Sequence, residues 1–523
     1  MYLQTDDAQL PPPATPSTDT APKALFAHQQ RGLDRVVDAV SSGKKRVMLQ
    51  APCAYGKTVV MAELIKRAMA KGKRVIVTVP KLQLIPQTVE RLAEWGVTDV
   101  GIFQGATPTH YGRQVQICSV QTLESRYRRG QMFPKGHVVF IDEAHRWFEF
   151  FGKWMADPAW AKTRWVGLSA TPWTKGLGRH YDGLVIGATI QELINAGHLS
   201  DFRVYAASHP DLAGVKDVAG DYNEGQLSTA MQKPTLVADA VEAYEKHGEG
   251  RKGLYFAVDR AHGAKLQDQF NKAGIPAGYI DANTPMAERK KIELALKHGR
   301  LKVVINIACL TEGCDWPFVD LIGLCRPTKS EMLYVQIIGR GLRKWLGKRW
   351  CLILDHSDTT KRLGFVTDVH HDTLDDGKHR IKKAAKREKR ETPAECLSCG
   401  ALRRPQQKKC WSCGYEGKRQ TKVQHAEGEL KELTRGKQLK FSMEDKQRFW
   451  SGALHWGYQR GKSRDTMAGY YKRHFGVWPK GLRELAMEDP ETSALCTKSA
   501  QDFARRKSYG SRRNTPANAG VSP

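Results

Sequence analysis

The chain has 523 residues, 83 Lys and Arg against 55 Asp and Glu, a formal net charge of +28 and a pI near 9.6. That length can bury several cores, and the charge points to a polyanionic partner, since neutralising phosphates with Lys and Arg supplies most non-specific nucleic-acid affinity. The composition argues against a secretory signal, against a span of roughly 18 apolar residues, and against a disulfide framework. Of eleven cysteines, Cys53, Cys118, Cys309, Cys314, Cys325, Cys351 and Cys496 stand singly and four cluster, the usage of a reducing, cytoplasmic compartment.

In chain order, residues 1–23 hold PPPATPSTDTAP, which offers nothing to bury and is expected to be a disordered leader. From 24 to 207, short apolar runs at 47–49, 75–79, 115–120, 138–141 and 165–168 alternate with helical stretches such as 59–70. This is the pattern of a parallel sheet with crossover helices. Residues 208–250 are polar and glycine-bearing with one helical patch at 237–244, and read as an interdomain linker suited to a hinge. The strand series resumes over 251–375, at 253–258, 277–280, 303–307, 321–324 and 351–354, with helices at 261–273 and 287–297. A second α/β domain is therefore expected. A basic linker at 376–394 contains KKAAKREKR and leads to a cysteine module at 395–416, a small aromatic basic domain at 440–485, and a basic tail at 497–523 expected to be disordered. From Asp376 onward, 34 Lys and Arg face 16 Asp and Glu, so most of the excess positive charge sits behind the two α/β domains.

The chemistry begins at APCAYGKT, residues 51–58, behind an apolar run that supplies the strand such a loop needs. Backbone amides around Ala54 and Gly56 and the following helix N-terminus would hold the β- and γ-phosphates of ATP. Lys57 adds a point charge and Thr58 a magnesium oxygen. Ala51 and Ala54 stand where glycine is usual, which puts a positive φ in question. DEAH, residues 142–145, ends an apolar run, placing Asp142 as a magnesium ligand and Glu143 to polarise the attacking water. An ordinary acidic pair capping a helix is the competing reading. His145 reads as a coupling residue, and Ser169 and Thr171 of SAT have hydroxyls able to bridge the nucleotide site and the interdomain cleft. In QIIGRGLR, residues 336–343, Gln336 is expected to begin a helix that sets Arg340 and Arg343 on one side. They would act as arginine fingers from the second domain, against the plain alternative of a surface helix. Domains that close on ATP and reopen after hydrolysis turn that chemistry into movement along a strand.

These residues resemble superfamily-two helicases, and more closely the RadD-like DNA-repair helicases of bacteria and phages, over about residues 25–355. VVINIACLTEGCDWPFVDLIGLCRPTKSEMLYVQIIGRGLR, residues 303–343, is similar to that family's second motor domain through its length. The resemblance implies two RecA-like domains in tandem, ATP hydrolysis with magnesium, and work in DNA repair, recombination or replication. It implies single-stranded or branched DNA ahead of RNA, a monomer without a membrane, and a single-strand-binding protein as a candidate partner. By it, Gln29 reads adenine, and Thr311, Gly313 and Asp315 couple strand to nucleotide. Gln121 and Thr122 contact the strand, with Pro80 and Lys81 on its backbone. Phe26 replaces a commonly found arginine and is available to stack on adenine. Two rival readings stay open: a motor component of a restriction or defence complex, and an ATP-switched nucleic-acid-binding scaffold with little turnover, supported only by Ala54.

Behind the motor, Cys396 and Cys399 pair with Cys410 and Cys413 as two CxxCG turns ten residues apart, the spacing of a structural zinc ribbon, with a redox pair as the alternative. Arg403, Arg404, Lys408 and Lys409 would offer it phosphate or protein contacts. In the aromatic domain, rings such as Trp450, Trp456, Tyr470, Tyr471 and Trp478 interleave with Lys472 and Arg473. That segment resembles a short module on other phage and bacterial helicases. Its rings either stack bases or form the core of a small helical domain, and core is the favoured reading, as it is for the aromatics after DEAH.

Overall fold

The computed structural model describes residues 24–377, 392–416 and 442–501, apart from 83, 106–109, 207, 219, 308, 311–314, 476, 498 and 499. The expected leader, most of the basic linker, the tail from 502, and Thr311 and Gly313 lie outside the described residues. The chain divides into two units, Met1–Gln420 and Thr421–Pro523.

The first lobe of the first unit carries strands β1 (Arg46–Gln50), β2 (Val75–Val79), β3 (Val100–Phe103), β4 (Val115–Ser119), β5 (Val138–Asp142), β6 (Arg164–Ser169) and β7 (Gly183–Ile186). All are parallel, in the order β3-β4-β2-β5-β6-β1-β7. The connecting helices are α1 (Ala27–Ser41), α2 (Lys57–Ala70), α3 (Leu84–Glu94), α4 (Val120–Arg128), α5 (Glu149–Ala156) and α6 (Ile190–Asn195). Every residue of β2 and β4 is buried, as the continuous apolar runs require in a parallel sheet covered on both faces. Phe150, Phe151, Trp154 and Trp165 fill a cluster on one side of this sheet, so the aromatics after DEAH are mainly core.

The second lobe begins earlier than expected. Strand β8 (Asp201–Ala206) pairs in parallel with β15 (Trp350–Asp355), from Asp201 opposite Trp350 to Ala206 opposite Asp355, and so closes one edge of the second sheet. The expected boundary after 207 therefore moves to about residue 200. The presumed linker is also built into this lobe. It holds a ribbon, β9 (Asp217–Val218) with β10 (Asp221–Tyr222), then α7 (Glu224–Met231) and α8 (Pro234–His247). Helix α8 buries Val237, Ala240, Val241, Ala243 and Tyr244 in the same cluster as Tyr255, Leu266 and Phe270. A hinge there would expose that apolar face to water, which makes it a poor place to bend. The sheet continues with β11 (Gly253–Phe256), β12 (Ala277–Ile280), β13 (Val303–Asn306) and β14 (Leu321–Leu324), in the parallel order β12-β13-β11-β14-β15-β8. Helices α9 (Arg260–Lys272), α10 (Met286–Lys297), α11 (Glu331–Gly341) and α12 (Thr359–Leu363) complete it.

After α12 the chain returns to the first lobe, where Gly178 N–H donates to Asp375 O at 2.8 Å and Arg179 Nε to Asp376 O at 2.5 Å. A second covalent crossing thus ties the lobes. The cysteine module, with β16 (Ala394–Glu395) against β17 (Leu402–Arg403), covers the β8 edge: Ala206 N–H donates to Gly400 O at 2.9 Å and Tyr205 bridges Ala401. Such cover keeps an open strand edge from pairing with another chain.

The second unit packs α13 (Met443–Tyr458) on α14 (Arg464–Phe475) around Trp450, Trp456, Met467 and Tyr471. Its core runs past the expected limit of 485, because Cys496 is buried in it and Trp456 Nε1 donates to Thr497 Oγ1 at 3.0 Å. The sparse apolar positions there gave no periodic signal. No described helix is long and apolar enough to cross a membrane.

Candidate active site between the two lobes

The chain leaves β1 and turns through residues 51–56 into α2, whose first residues are Lys57 and Thr58. Two left-handed residues make the turn, Ala54 at φ +60° and Gly56 at φ +88°. At Gly56 glycine is required twice over, by φ and by the Gln29 carboxamide that stands where a Cβ would be. Ala54 adopts the same conformation with a Cβ, a strain of about 1–2 kcal/mol. Ala51 needs no glycine: it is fully buried and its N–H donates to Ser169 O at 2.9 Å.

The loop is braced from α1. Gln29 Nε2 donates to Tyr55 O at 3.0 Å, and its Oε1 accepts from Phe26 N–H at 3.0 Å. Tyr55, fully buried, donates its hydroxyl to His28 O at 2.8 Å. Sequence reasoning passed over Tyr55; the signal lay in Gly32 and Gly187, where any Cβ would meet its ring. Phe26 is 55% exposed, its ring 4.5 Å from that of His198, so the aromatic expected near adenine lies at a two-ring rim beside the loop.

Strand β5 delivers Asp142 and Glu143. Lys57 Nζ lies 2.5 Å from Glu143 Oε1, and Glu143, itself at φ +48°, donates its N–H to Asp142 Oδ1 at 2.9 Å. Burial, reinforced by Glu143 against the pull of Lys57, pushes the Asp142 carboxyl up to about 6. Burial acts on Glu143 too, but Lys57 and His145 outweigh it and hold that carboxyl well below the usual range. Two carboxylates against one lysine leave a local negative excess that a divalent cation offsets. Thr58 and Asp142 offer the hard oxygen donors magnesium takes, so the residues fit that ion.

The second lobe reaches this site through α11. Gln336 Nε2 donates to Thr171 Oγ1 at 3.1 Å and lies 3.2 Å from His145 Nε2, while His145 Nδ1 is 3.0 Å from Ser169 Oγ and 3.4 Å from Glu143 Oε2. A line of polar contacts therefore runs from Glu143 through His145 to Gln336 and Thr171, across both lobes. Gln336 does not begin the helix, which starts at Glu331 behind the Ser330 cap and ends at Gly341. Arg340, 9% exposed, lies in its last turn, whereas Arg343 lies beyond the C-cap residue Leu342, so the two arginines do not share one helical face. Arg343 Nη1 donates to Asp315 Oδ1 at 2.5 Å. Between the arginines and Gln336, Gly339 packs on Cys53 Sγ of the phosphate loop, with no room for a Cβ.

On the first lobe, Gln121 Nε2 donates to Pro80 O at 3.0 Å, joining the two stretches expected to contact a strand, because β2 and β4 are neighbours and end side by side. Lys81 follows Pro80, half-buried. Thr122 has a local duty: its N–H donates to the capping Ser119 Oγ at 3.1 Å and its Oγ1 accepts from Gly105 N–H at 3.0 Å.

In the cysteine module, the sulfurs of Cys396, Cys399, Cys410 and Cys413 all lie within 4.8 Å of one another. A tetrahedral zinc with bonds of about 2.3 Å spaces its sulfurs about 3.8 Å apart, so the thiols fit that ion. The two arginines of this module are engaged in packing. Arg404 grips Asp368 through Nη2–Oδ1 at 2.9 Å and Nη1–Oδ2 at 3.3 Å, and Arg403 Nη1 bonds the carbonyls of Gln407 and Lys408 in its own loop. Arg404 thus ties the module to the segment after α12, and Arg403 braces its own loop. In the second unit Lys472 and Arg473 are exposed, set over the rings of Trp478 at 4.5 Å and Tyr470 at 4.9 Å.

Comparison with known proteins finds a family match for each lobe. Residues 22–174 match the family model "Type III restriction enzyme, res subunit", and residues 232–344 match "Helicase conserved C-terminal domain". The chain is 30% identical over 380 residues to a "51.5 kDa protein" of a Lactococcus phage (isolate 7-9), covering 71% of this chain and 78% of that one. It is 29% identical over 360 residues to "Putative ATP-dependent helicase IRC3" of Saccharomyces cerevisiae, covering 63% of this chain and 51% of the yeast protein. Among solved structures, "The fragment structure of a putative HsdR subunit of a type I restriction enzyme from Vibrio vulnificus YJ016" shares the fold at a TM-score of 0.52 and 19% identity, over 67% of this chain and 69% of that one.

Proposed function

Because the chain belongs to the superfamily-two helicases and is an ATP hydrolase, we propose that it is a DNA-directed helicase or translocase, RadD-like in kind, serving DNA repair, recombination or replication. One observation carries the motor reading most directly: Gln336 of the second lobe bonds His145 and Thr171 of the first, so lobe position is read at His145, which itself contacts Glu143. In this reading the loop amides and Lys57 hold the nucleotide phosphates, and Glu143 orients and polarises the attacking water. Thr58 and Asp142 would hold magnesium, which would supply positive charge to the nucleotide phosphates. Arg340 and Arg343 stabilise the charge that develops on the transferred phosphoryl group. The backbone stretches around Pro80, Lys81, Gln121 and Asp315 hold and advance the strand as the lobes close. Lys472 and Arg473 add a cationic surface for nucleic acid, and the four thiols hold a structural zinc.

Steady-state ATP hydrolysis with no nucleic acid, single-stranded DNA, duplex DNA and RNA, with Lys57→Ala as control, tests this reading. Stimulation by DNA beyond RNA, lost in the variant, is expected; turnover indifferent to every nucleic acid would overturn it. The restriction-type family model over residues 22–174 favours one second reading, a motor component of a defence complex. Co-purification of a nuclease or methyltransferase from the native host would support that reading.

A further inference from the structure

We infer that His198 is a positioning residue for hydrolysis: its ring locks the chain crossing between the lobes against the brace of the phosphate loop, and that crossing sets where Arg343 stands. The inference rests on the reading of Arg343 as a finger. Arg343 lies beyond the end of α11, so the helix does not by itself fix its backbone. The crossing from α6 to β8 contributes the missing hold. Ser200 N–H donates to Leu342 O at 2.7 Å, Ser200 Oγ donates to Arg343 O at 3.3 Å, and Leu199 forms an antiparallel bridge with Arg343. Leu199 and Ser200 are 1% and 0% exposed, so water does not compete for these bonds.

Immediately before this dipeptide the chain belongs to the first lobe. His198 N–H donates to Leu193 O of α6 at 2.8 Å, and Leu199 N–H shares that carbonyl at 3.1 Å. The His198 ring packs 4.4 Å from the ring of His28 and 4.5 Å from that of Phe26. His28 is buried, and its Nε2 lies 3.2 Å from Tyr55 O, the loop carbonyl that Gln29 also bonds. A short path therefore runs from the phosphate loop through two imidazoles to the backbone that carries the finger. Lys348 Nζ donates to Arg343 O at 2.8 Å from within the second lobe, so finger and lobe move together. Without the His198 ring the crossing keeps its bonds to α6 but loses its hold beside the loop. It can then tilt and take Leu342 and Arg343 with it. A displacement of about 1 Å at a group remote from the chemistry can cost about a hundredfold in rate. Gln336 and the return of the chain at Asp375 still join the lobes, so the loss here is partial.

The experiment titrates ATP against the full chain with saturating single-stranded DNA, for wild type, His198→Ala, His198→Phe, Arg343→Ala and the double variant His198→Ala with Arg343→Ala. His198→Ala is expected to lower kcat about two- to tenfold, the range an aromatic contact allows, and to leave the KM for ATP within about twofold because the loop amides and Lys57 are untouched. His198→Phe, which keeps a ring, restores most of the rate. In the Arg343→Ala background, where there is no finger left to place, His198→Ala should cost less than about twofold more. The same fractional loss in both backgrounds, a loss confined to KM, or an unchanged kcat would each overturn the inference even with Arg343→Ala inactive. Wild-type turnover in Arg343→Ala would instead remove the finger reading itself. Melting temperatures establish that each variant is folded, and His198→Gln takes the place of His198→Ala if the latter is not.

Discussion

The phosphate loop and the cysteine module solve the same local problem, a tight turn that must aim several groups at one point, and they are held in shape differently. In the module both turns end on glycine, Gly400 at φ +71° and Gly414 at φ +72°, and each glycine N–H returns to the carbonyl of its first cysteine, Gly400 to Cys396 O at 2.9 Å and Gly414 to Cys410 O at 3.0 Å. Shape there comes from inside the turn, and from the ion the thiols fit. The phosphate loop keeps Gly56 but places Ala54 in the same left-handed region, and it is fixed from outside by Gln29 and by the Ser169 carbonyl. A turn over-determined by its surroundings tolerates a strained residue, whereas one that shapes itself does not.

Removing the base tests the phosphate site hardest. Glu143→Gln is expected to cut turnover by about a thousandfold or more while ATP and DNA binding persist in equilibrium titrations. Hydrolysis within tenfold of wild type would place the base elsewhere and leave the loop as a binding site only. A smaller effect, of a different kind, should follow at the module. Chelating zinc, or Cys399→Ser, is expected to lower the melting temperature and speed amide exchange along β8, because Ala401 and Gly400 cover that edge. Unchanged exchange in β8 would mean that the module holds its shape without metal, and the contrast between the two turns would collapse.

Much of this was legible in the sequence, for reasons that differ by region. Central strands such as β2 and β13 are short apolar runs because both faces of a parallel sheet are covered, so they stand out against polar connections. Edge strand β8, with exposed Asp201 and half-buried Phe202 and Arg203, carries no such run, and β3 and β7 contain glycine. Missing β8 is what turned residues 208–250 into a linker on paper. The cleft motifs were readable because each is a short contiguous string. The cross-lobe partners were not: no local pattern joins Gln336 to His145, or Arg91 to Asp315, across 191 and 224 residues. Arg403 and Arg404 looked like phosphate contacts by charge alone, and only the position of Asp368 shows Arg404 to be an anchor.

The smallest expected effect bears most directly on the contrast between the turns. Ala54→Gly removes a left-handed strain of about 1–2 kcal/mol. Glycine also gives the unfolded chain more freedom, which costs about 0.4–1 kcal/mol, so a net stabilisation between about 0 and about 1.6 kcal/mol is expected in denaturant unfolding. The opposite change, Gly414→Ala, imposes the strain at φ +72° in a turn held by its own Cys410 carbonyl and gains only the smaller entropy term, so it should destabilise. If the loop is set by its braces, Ala54→Gly should leave the KM for ATP within about twofold, because Gln29, Tyr55 and Gly56 already place the amides. A marked fall in KM together with a rise in kcat would show that the alanine distorts the phosphate cradle, and that outside support restores the backbone path but not the approach of its N–H groups.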